Sequence, residues 1–207
     1  MNIYKDTLYA VTPRAKIEYR IYVSDVPARE IEKYEIKDKL TALCRNGCAN
    51  YEHKWSCPPF APCYHEFTEK FENISVCLAF AYLDQFDYIK NDYLKIKAAH
   101  TILKSRMDKA LRKLIGKDVY YISCGNCRLC KMCKCKTQGP CNHPDLMTYS
   151  FEALGINLAE MVKDLFDIPL LWYRKENLPD YTSVVAGLIS KEKYDRSVII
   201  KTLRSMN

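Results

Sequence analysis

The sequence predicts an α/β (or α+β) fold, with a single sheet flanked by helices and two cysteine-rich metal-binding loops. Strand-like and helix-like segments alternate along the chain, which is typical of a layered sheet-and-helix domain. A chain of 207 residues buries enough surface to fold without covalent staples. No internal repeat or Gly/Ser linker divides it, so we expect residues 1–207 to form one domain.

The first half of the chain predicts two strands and two helices. Residues 14–23 alternate between apolar and polar side chains and predict a strand with one solvated face. The charged stretch 28–43 carries apolar residues at helical spacing, and residues 64–72 predict a short helix. Residues 74–83 are almost continuously apolar, which is typical of a buried strand.

Residues 91–115 show the clearest helical periodicity of the chain. Apolar side chains recur at three- and four-residue steps, at Ile96, Ala99, Leu103, Met107, Ala110 and Leu114. The same periodicity places the lysines on the solvent face, namely Lys95, Lys97, Lys104, Lys109 and Lys113. We therefore expect a long amphipathic helix that ends at Gly116.

The last part of the chain predicts three strands and two helices. Residues 119–123, 168–173 and 181–189 are short, largely apolar runs that predict strands. Asn157 is a suitable N-cap for a helix that runs to residue 166. Residues 191–206 predict a final helix.

Cysteines carry the strongest functional signal, because ten of the eleven fall into two short segments at residues 44–63 and 124–144. The first segment holds Cys44, Cys48, Cys57 and Cys63; the second holds Cys124, Cys127, Cys130, Cys133, Cys135 and Cys141. The N-terminus lacks the pattern of a secretion signal, and no apolar run reaches the ~18 residues that would span a membrane. We therefore expect a cytoplasmic protein without membrane attachment, in which dense cysteines bind metal rather than form disulfides.

The second segment has the spacing Cys127-x-x-Cys130-x-x-Cys133, and Cys141 follows with a proline on either side. Three thiolates at three-residue intervals, closed by a distant fourth, are typical of an iron–sulfur cubane. A zinc site more often uses two separate Cys-x-x-Cys pairs about 12–20 residues apart, and zinc remains the alternative metal. No acidic residue lies between residues 124 and 143, and the basic neighbours there favour thiolates.

The first segment supplies three or four candidate ligands. If only Cys44, Cys48 and Cys57 bind, a cluster keeps one iron open to a small ligand. If Cys63 also binds, the centre is closed and suits electron transfer. Cys77, alone in an apolar strand, is predicted to be a core residue.

Other polar residues have two interpretations each. His143 could ligate metal or support the cysteine loop by hydrogen bonding. Glu152 could act beside a cluster or be a charge at the start of a helix. The net charge of +7 follows no recognisable nucleic-acid-binding pattern, so we do not expect a nucleic-acid partner.

Two signatures resemble those of an uncharacterised prokaryotic family of predicted metal-binding proteins, domain of unknown function 2284. The first is Cys44-x-x-Gly47-Cys48 followed by Tyr51 and Trp55-Ser56-Cys57-Pro58-Pro59; the second is Gly125-Asn126-Cys127-Arg128-Leu129-Cys130, then Cys133, Cys141-x-His143-Pro144 and residues 150–157. The resemblance implies metal ligands at Cys44, Cys48, Cys57, Cys127, Cys130, Cys133 and Cys141. The chain departs from the pattern at Tyr149 and Phe151 and in the additional Cys63, Cys124 and Cys135. The family description implies metal and no particular reaction.

These observations predict an iron–sulfur protein with two [4Fe–4S]-type clusters. The clusters would serve electron transfer or small-ligand and sulfur chemistry, with a redox protein or a small ligand as partner. The alternative is a structural zinc-binding protein that serves protein or RNA interaction. The sequence leaves open whether the protein is an enzyme.

Overall fold

The computed structural model describes residues 3–174 and 177–206 and is built on a five-stranded sheet. The strands are β1 (Ile3–Val11), β2 (Lys16–Pro27), β3 (Asn73–Tyr82), β4 (Val119–Ile122) and β5 (Tyr181–Ser190). They lie in the order β1-β2-β3-β5-β4, and each neighbouring pair is antiparallel. The fold is therefore α+β, and the predicted sheet flanked by helices is confirmed.

Helices cover both faces of the sheet. They are α1 (Lys37–Arg45), α2 (Tyr64–Thr68), α3 (Asp92–Leu111), α4 (Leu158–Phe166) and α5 (Arg196–Arg204). Helices α3 and α5 contribute to the apolar cluster on one face, and α2 and α4 contribute to the cluster on the other. Within the described residues, no helix is both long enough and apolar enough to cross a membrane.

Strand β3 lies at the centre of the sheet and is buried on both faces. Cys77 and Ala79 belong to the apolar cluster with α3, whereas Val76 and Leu78 belong to the opposite cluster. Because both faces are covered, the strand has no polar alternation. The predicted strand and the predicted core position of Cys77 are confirmed.

The predicted helix over residues 28–43 is interrupted. A 3-10 segment covers Ala28–Tyr34, and α1 begins only at Lys37. Between them, Glu35 forms a β-bridge with Ile156, and the Ile36 N–H donates to the Gly155 carbonyl at 2.7 Å. This pairing takes the backbone out of the helix and ties the start of α1 to the turn that precedes α4.

The strand predicted at residues 168–173 is wrong, and β1 was not predicted. Residues 168–173 have no regular secondary structure, and the Tyr181 hydroxyl donates to the carbonyl of Pro169 at 2.5 Å. In β1 only Leu8 and Ala10 are buried, so its alternation is weak in the sequence. β1 is nonetheless fixed by its full-length pairing with β2.

Helix α3 confirms the predicted periodicity, but two of its lysines were placed wrongly. Asn91 caps the helix by accepting from the Leu94 N–H at 3.0 Å. Lys95 and Lys104 are buried, not solvated. Loops reach over them: the Asp87 carboxylate accepts from Lys95 at 2.8 Å, and the carbonyl of Cys124 accepts from Lys104.

Candidate metal centre

Four cysteines of the second segment line one cavity. β4 delivers the chain to this segment, which is mostly irregular and wraps so that Cys127, Cys130, Cys133 and Cys141 face a common space beside His143. The structure thus brings together the four thiols that the spacing and the resemblance grouped. We call this set the four-cysteine site.

The four-cysteine site is small and partly open. Its cavity measures about 20 Å³, and Leu129 and Met147 add apolar side chains to its wall. All four thiols are partly exposed. The cavity is smaller than a [4Fe–4S] cubane, so a cluster would require these partly exposed side chains to move apart.

Hydrogen-bond donors point at two of the sulfurs. The backbone N–H of His143 donates to Cys141 Sγ at 3.4 Å, and Asn142 Nδ2 donates to Cys130 Sγ at 3.8 Å. Donors of this kind stabilise thiolates and tune the potential of a bound cluster. The His143 contact comes from its backbone, and its side chain lines the cavity, so both interpretations of the imidazole stay open.

The first segment groups Cys44, Cys48 and Cys57, which we call the three-cysteine site. Cys44 lies in the last turn of α1, and its carbonyl accepts from the Cys48 N–H at 3.0 Å. Burial raises the pKa of the Cys44 thiol, and the neighbouring Cys48 raises it further. Burial raises the pKa of Cys57 to about 11, and Cys48 and Cys44 contribute to that shift. The three thiols therefore share one electrostatic neighbourhood.

Cys63 shares the neighbouring Lys37 ammonium with Cys44 but also has acidic neighbours of its own. It is the N-cap residue of α2, and burial and then the Glu66 and Glu35 carboxylates raise the pKa of its thiol. Its sulfur, a ring nitrogen of His65 and a carboxylate oxygen of Glu35 lie within 4.8 Å of one another. His65, which the sequence placed in no motif, is 3.0 Å from Glu35 through Nδ1.

Lys37 ties the two signatures together. Its ammonium donates to the carbonyls of Ala61 at 2.7 Å, Pro62 at 2.8 Å and Ala153 at 2.7 Å. Gly155 lets the chains come this close, because its φ is +97° and an added Cβ would lie 2.9 Å from Lys37 Cα. No sequence pattern marks Lys37, since a lysine in a charged helix gives no local signal.

Three consecutive residues of the first cysteine segment contact the second segment. Lys54 Nζ donates to the Cys127 carbonyl at 2.9 Å, and Trp55 Nε1 donates to the Gly139 carbonyl at 3.0 Å. The Cys127 N–H donates to Ser56 Oγ at 3.3 Å, and that hydroxyl is 4.0 Å from Cys57 Sγ. Ser56 therefore touches one cysteine of each site, and the two sites are immediate neighbours.

The additional cysteines of the second segment have structural contacts away from the four-cysteine site. Cys124 is buried, accepts from the Tyr121 hydroxyl at 3.9 Å, and has its pKa raised to about 12 by burial. Cys135 is also buried, and its thiol donates to the Glu52 carbonyl at 3.5 Å. A thiol that donates a hydrogen bond carries its proton, which a metal ligand has lost.

A second, larger cavity lies on the other side of Cys124. It is lined by Lys104, Arg128 and Glu152 among others. Glu152 lies in the turn before α4 and not at the helix start, where Asn157 is the cap, so its interpretation as a helix-start charge is wrong. Sequence reasoning missed this cavity because its residues come from distant segments.

The family comparison agrees with this arrangement. Residues 29–189 match the family model described as predicted metal-binding protein (DUF2284), and the match includes both cysteine segments. The fold and the two sites thus define a cysteine-rich protein of a metal-binding class. The chain belongs to the family of domain of unknown function 2284. Searches of curated proteins and of solved structures find no match.

Proposed function

We propose that the protein is an iron–sulfur protein with two [4Fe–4S]-type clusters. Cys127, Cys130, Cys133 and Cys141 hold one cluster with a complete set of thiolates. Cys44, Cys48 and Cys57 hold the other, whose fourth iron is open to a small ligand. An all-thiolate donor set is the usual ligand set of such clusters.

In the part of the chain that the structure describes, neither cysteine site is as compact as a single zinc ion requires. Within residues 3–174 and 177–206, the one group of three Cys, His or acidic side chains with ligand atoms inside 4.8 Å of each other is Glu35, Cys63 and His65. Four thiolates at ~2.3 Å from one tetrahedral zinc would lie roughly 3.8 Å apart. A polynuclear centre holds its thiolates further apart, because several metal atoms lie between them. The run Cys127-x-x-Cys130-x-x-Cys133 with the distant Cys141, gathered around one cavity, carries the proposal.

Electron transfer is supported by the contact between the two sites. Ser56 lies between Cys57 and Cys127, so two clusters held there would be close neighbours. The surface beside the four-cysteine site exposes Lys131, Lys134 and Lys136, and Met132 is 68% exposed among them. This surface suits a redox protein with an acidic face as the partner. A reducing cytoplasm would keep the free thiols available for metal.

Metal analysis of anaerobically purified protein tests the proposal. We expect brown protein with broad visible absorbance and about eight iron and eight acid-labile sulfide per chain. Cys130→Ser should lose about half of the iron, whereas the matched control Cys135→Ser should keep it, because serine also donates to the Glu52 carbonyl. Colourless protein with stoichiometric zinc and no sulfide would contradict the proposal.

Cys63→Ser separates the open from the closed form of the first cluster. We expect unchanged iron content and an unchanged visible spectrum, because Cys63 groups with Glu35 and His65. Cys57→Ser, as the positive control, should lose the first cluster. Loss of iron in Cys63→Ser would mean that Cys63 is the fourth ligand and that the centre is closed.

The zinc alternative has one observation in its favour. Cys, His and Glu are all zinc ligands, and the Glu35, Cys63 and His65 group is compact enough for one ion. Zinc that is present in the native protein and absent from Cys63→Ser, without any change in iron, would assign a structural ion to that group.

A further inference from the structure

We propose that the second cavity binds a small organic anion beside the four-cysteine site. This assigns a class of ligand to the cavity. It rests on the proposed function in one respect only, namely the role of the ligand as substrate or effector of a redox centre. Binding itself depends on the cavity alone.

The cavity has the size and position of a ligand site. It measures about 480 Å³, within the ~300–1,000 Å³ that is usual for small-molecule pockets. It exists because β4 is short: β4 pairs only with residues 187–190 of β5, and residues 182–185 beyond that pairing line the cavity. Asn126 and Arg128, on either side of Cys127, also line it, so the cavity adjoins the four-cysteine site.

Two basic side chains of the cavity form no salt bridge. Lys104 is only 4% exposed, and its ammonium donates to the Cys124 carbonyl, which leaves two of its three hydrogens for other acceptors. Across the described part of the chain, neither Lys104 nor Arg128 forms a salt bridge. Burial lowers the pKa of Lys104, and Asp108 is the nearby charge that opposes this shift most, yet the two side chains form no salt bridge. A bound anion would offset the cost of burying this cation.

The cavity keeps a net positive charge. Glu152 is its one carboxylate among the lining residues, set against Lys104 and Arg128. His100 also lines the cavity, but burial and the two neighbouring cations lower its pKa, so its ring stays neutral. The charge of Glu152 acts favourably on Lys104, but the two side chains form no salt bridge. The electrostatics therefore favour a ligand with a carboxylate or phosphate group.

The opposite wall suits a planar apolar body. Leu158 and Leu170 line the cavity, and Trp172 and Tyr173 add aromatic rings at its mouth. Trp172 is 66% exposed and Tyr173 39% exposed, although neither lies on a strand or helix. Exposed rings beside a basic cavity provide a stacking surface for a ligand whose other end is charged.

Isothermal titration calorimetry on the anaerobic, metal-containing protein tests this proposal with three probes. Benzoate and phenyl phosphate carry the two anionic groups on the same ring, and benzyl alcohol is the neutral control. We expect at least one anion to bind about tenfold more tightly than the alcohol. The anion that binds with higher affinity shows whether the cavity prefers a carboxylate or a phosphate ligand. Equal affinity for all three probes, or binding of none, would overturn the proposal.

Two variants locate the binding. Arg128→Gln, at an exposed position, should weaken the preferred anion about tenfold without altering the fold, and Lys104→Gln should do the same if it folds. Lys109→Gln, on the exposed face of α3, is the matched control and should leave the affinity unchanged. Undiminished binding by Arg128→Gln would overturn the assignment of the cavity.

Iron and sulfide analysis of the same samples keeps this test separate from the proposed function. Anion binding that depends on Arg128 in a protein without iron would support the cavity and contradict the iron–sulfur proposal. An iron–sulfur protein with no preference for the anions would support the iron–sulfur proposal and contradict the anion site in the cavity.

Discussion

At the scale of single residues, Lys37 shows how one side chain joins distant parts of the chain. Its ammonium is held by the carbonyls of Ala61, Pro62 and Ala153, and the side chain is partly buried. Burial lowers the pKa of Lys37, and the Cys63 thiol is first among the nearby groups that oppose this shift. The three carbonyls belong to the loop before Cys63 and to the turn before α4, so Lys37 fixes α1 against both.

Replacing Lys37 tests this role. Lys37→Met should lower the free energy of unfolding by about 2–4 kcal/mol, because it removes charge-assisted hydrogen bonds and leaves partly buried carbonyls without a donor. Urea unfolding followed by circular dichroism measures the change. Lys39→Met, exposed on the same helix, should stay within about 0.5 kcal/mol of the native protein. Equal stability of the two variants would show that Lys37 does not fix the loops.

At the scale of elements, β5 packs closely against Phe151, a residue of the second signature. Phe151 is fully buried, and it packs on β5 where Gly187 has no side chain. A Cβ at Gly187 would lie 2.9 Å from Phe151 Cζ and 3.2 Å from Ile74 Cδ1. Phe151 is one of the positions at which the chain departs from the family pattern, so this close fit belongs to the particular side chains of this chain.

The fit predicts the effect of one methyl group. Gly187→Ala should lower the free energy of unfolding by about 1–3 kcal/mol, because the added methyl group overpacks the cluster beneath the sheet. Gly116→Ala is the matched control, since a Cβ there would meet nothing within 4 Å. Thermal unfolding of both variants measures the difference. A Gly187→Ala protein as stable as Gly116→Ala would contradict the packing described here.

The elements also show where sequence patterns succeed and fail. The periodicity of α3 and the apolar run of β3 were sufficient, because each is set by local burial on a face of the sheet. The break at Glu35 and Ile36 was not predictable, because it comes from pairing with Ile156 and Gly155, far along the chain. Two α3 lysines were misplaced for the same reason, since loops from elsewhere cover them.

At the scale of the whole molecule, the core and the cysteine loops are separate. Apolar clusters fill both faces of the sheet, and the cysteines of the two proposed sites contribute to neither of them. A core of this size does not need metal to fold. The loops, in contrast, are mostly irregular, and side-chain hydrogen bonds such as those of Lys54, Trp55 and Ser56 join one to the other.

Metal removal should therefore act locally. Chelation or oxidation should leave the far-UV circular dichroism nearly unchanged, while hydrogen exchange speeds up in residues 44–63 and 124–144. Amides of β3 are the internal control and should keep their protection, because the strand is central and buried. Complete loss of far-UV signal on metal removal would mean that the metal sites hold the core together.

The sequence by itself determined the sheet-and-helix class, the central strand, the long helix and the grouping of the cysteines. Each of these follows from the spacing of residues that are close together in the chain. Tertiary structure alone decided that Lys54, Trp55 and Ser56 join the two cysteine segments, since these bonds link residues 71 to 84 positions apart. It also decided that Cys63, Cys124 and Cys135 lie outside the four-cysteine site and that a basic cavity opens beside it. Such contacts depend on how the whole chain packs, and no local pattern records them.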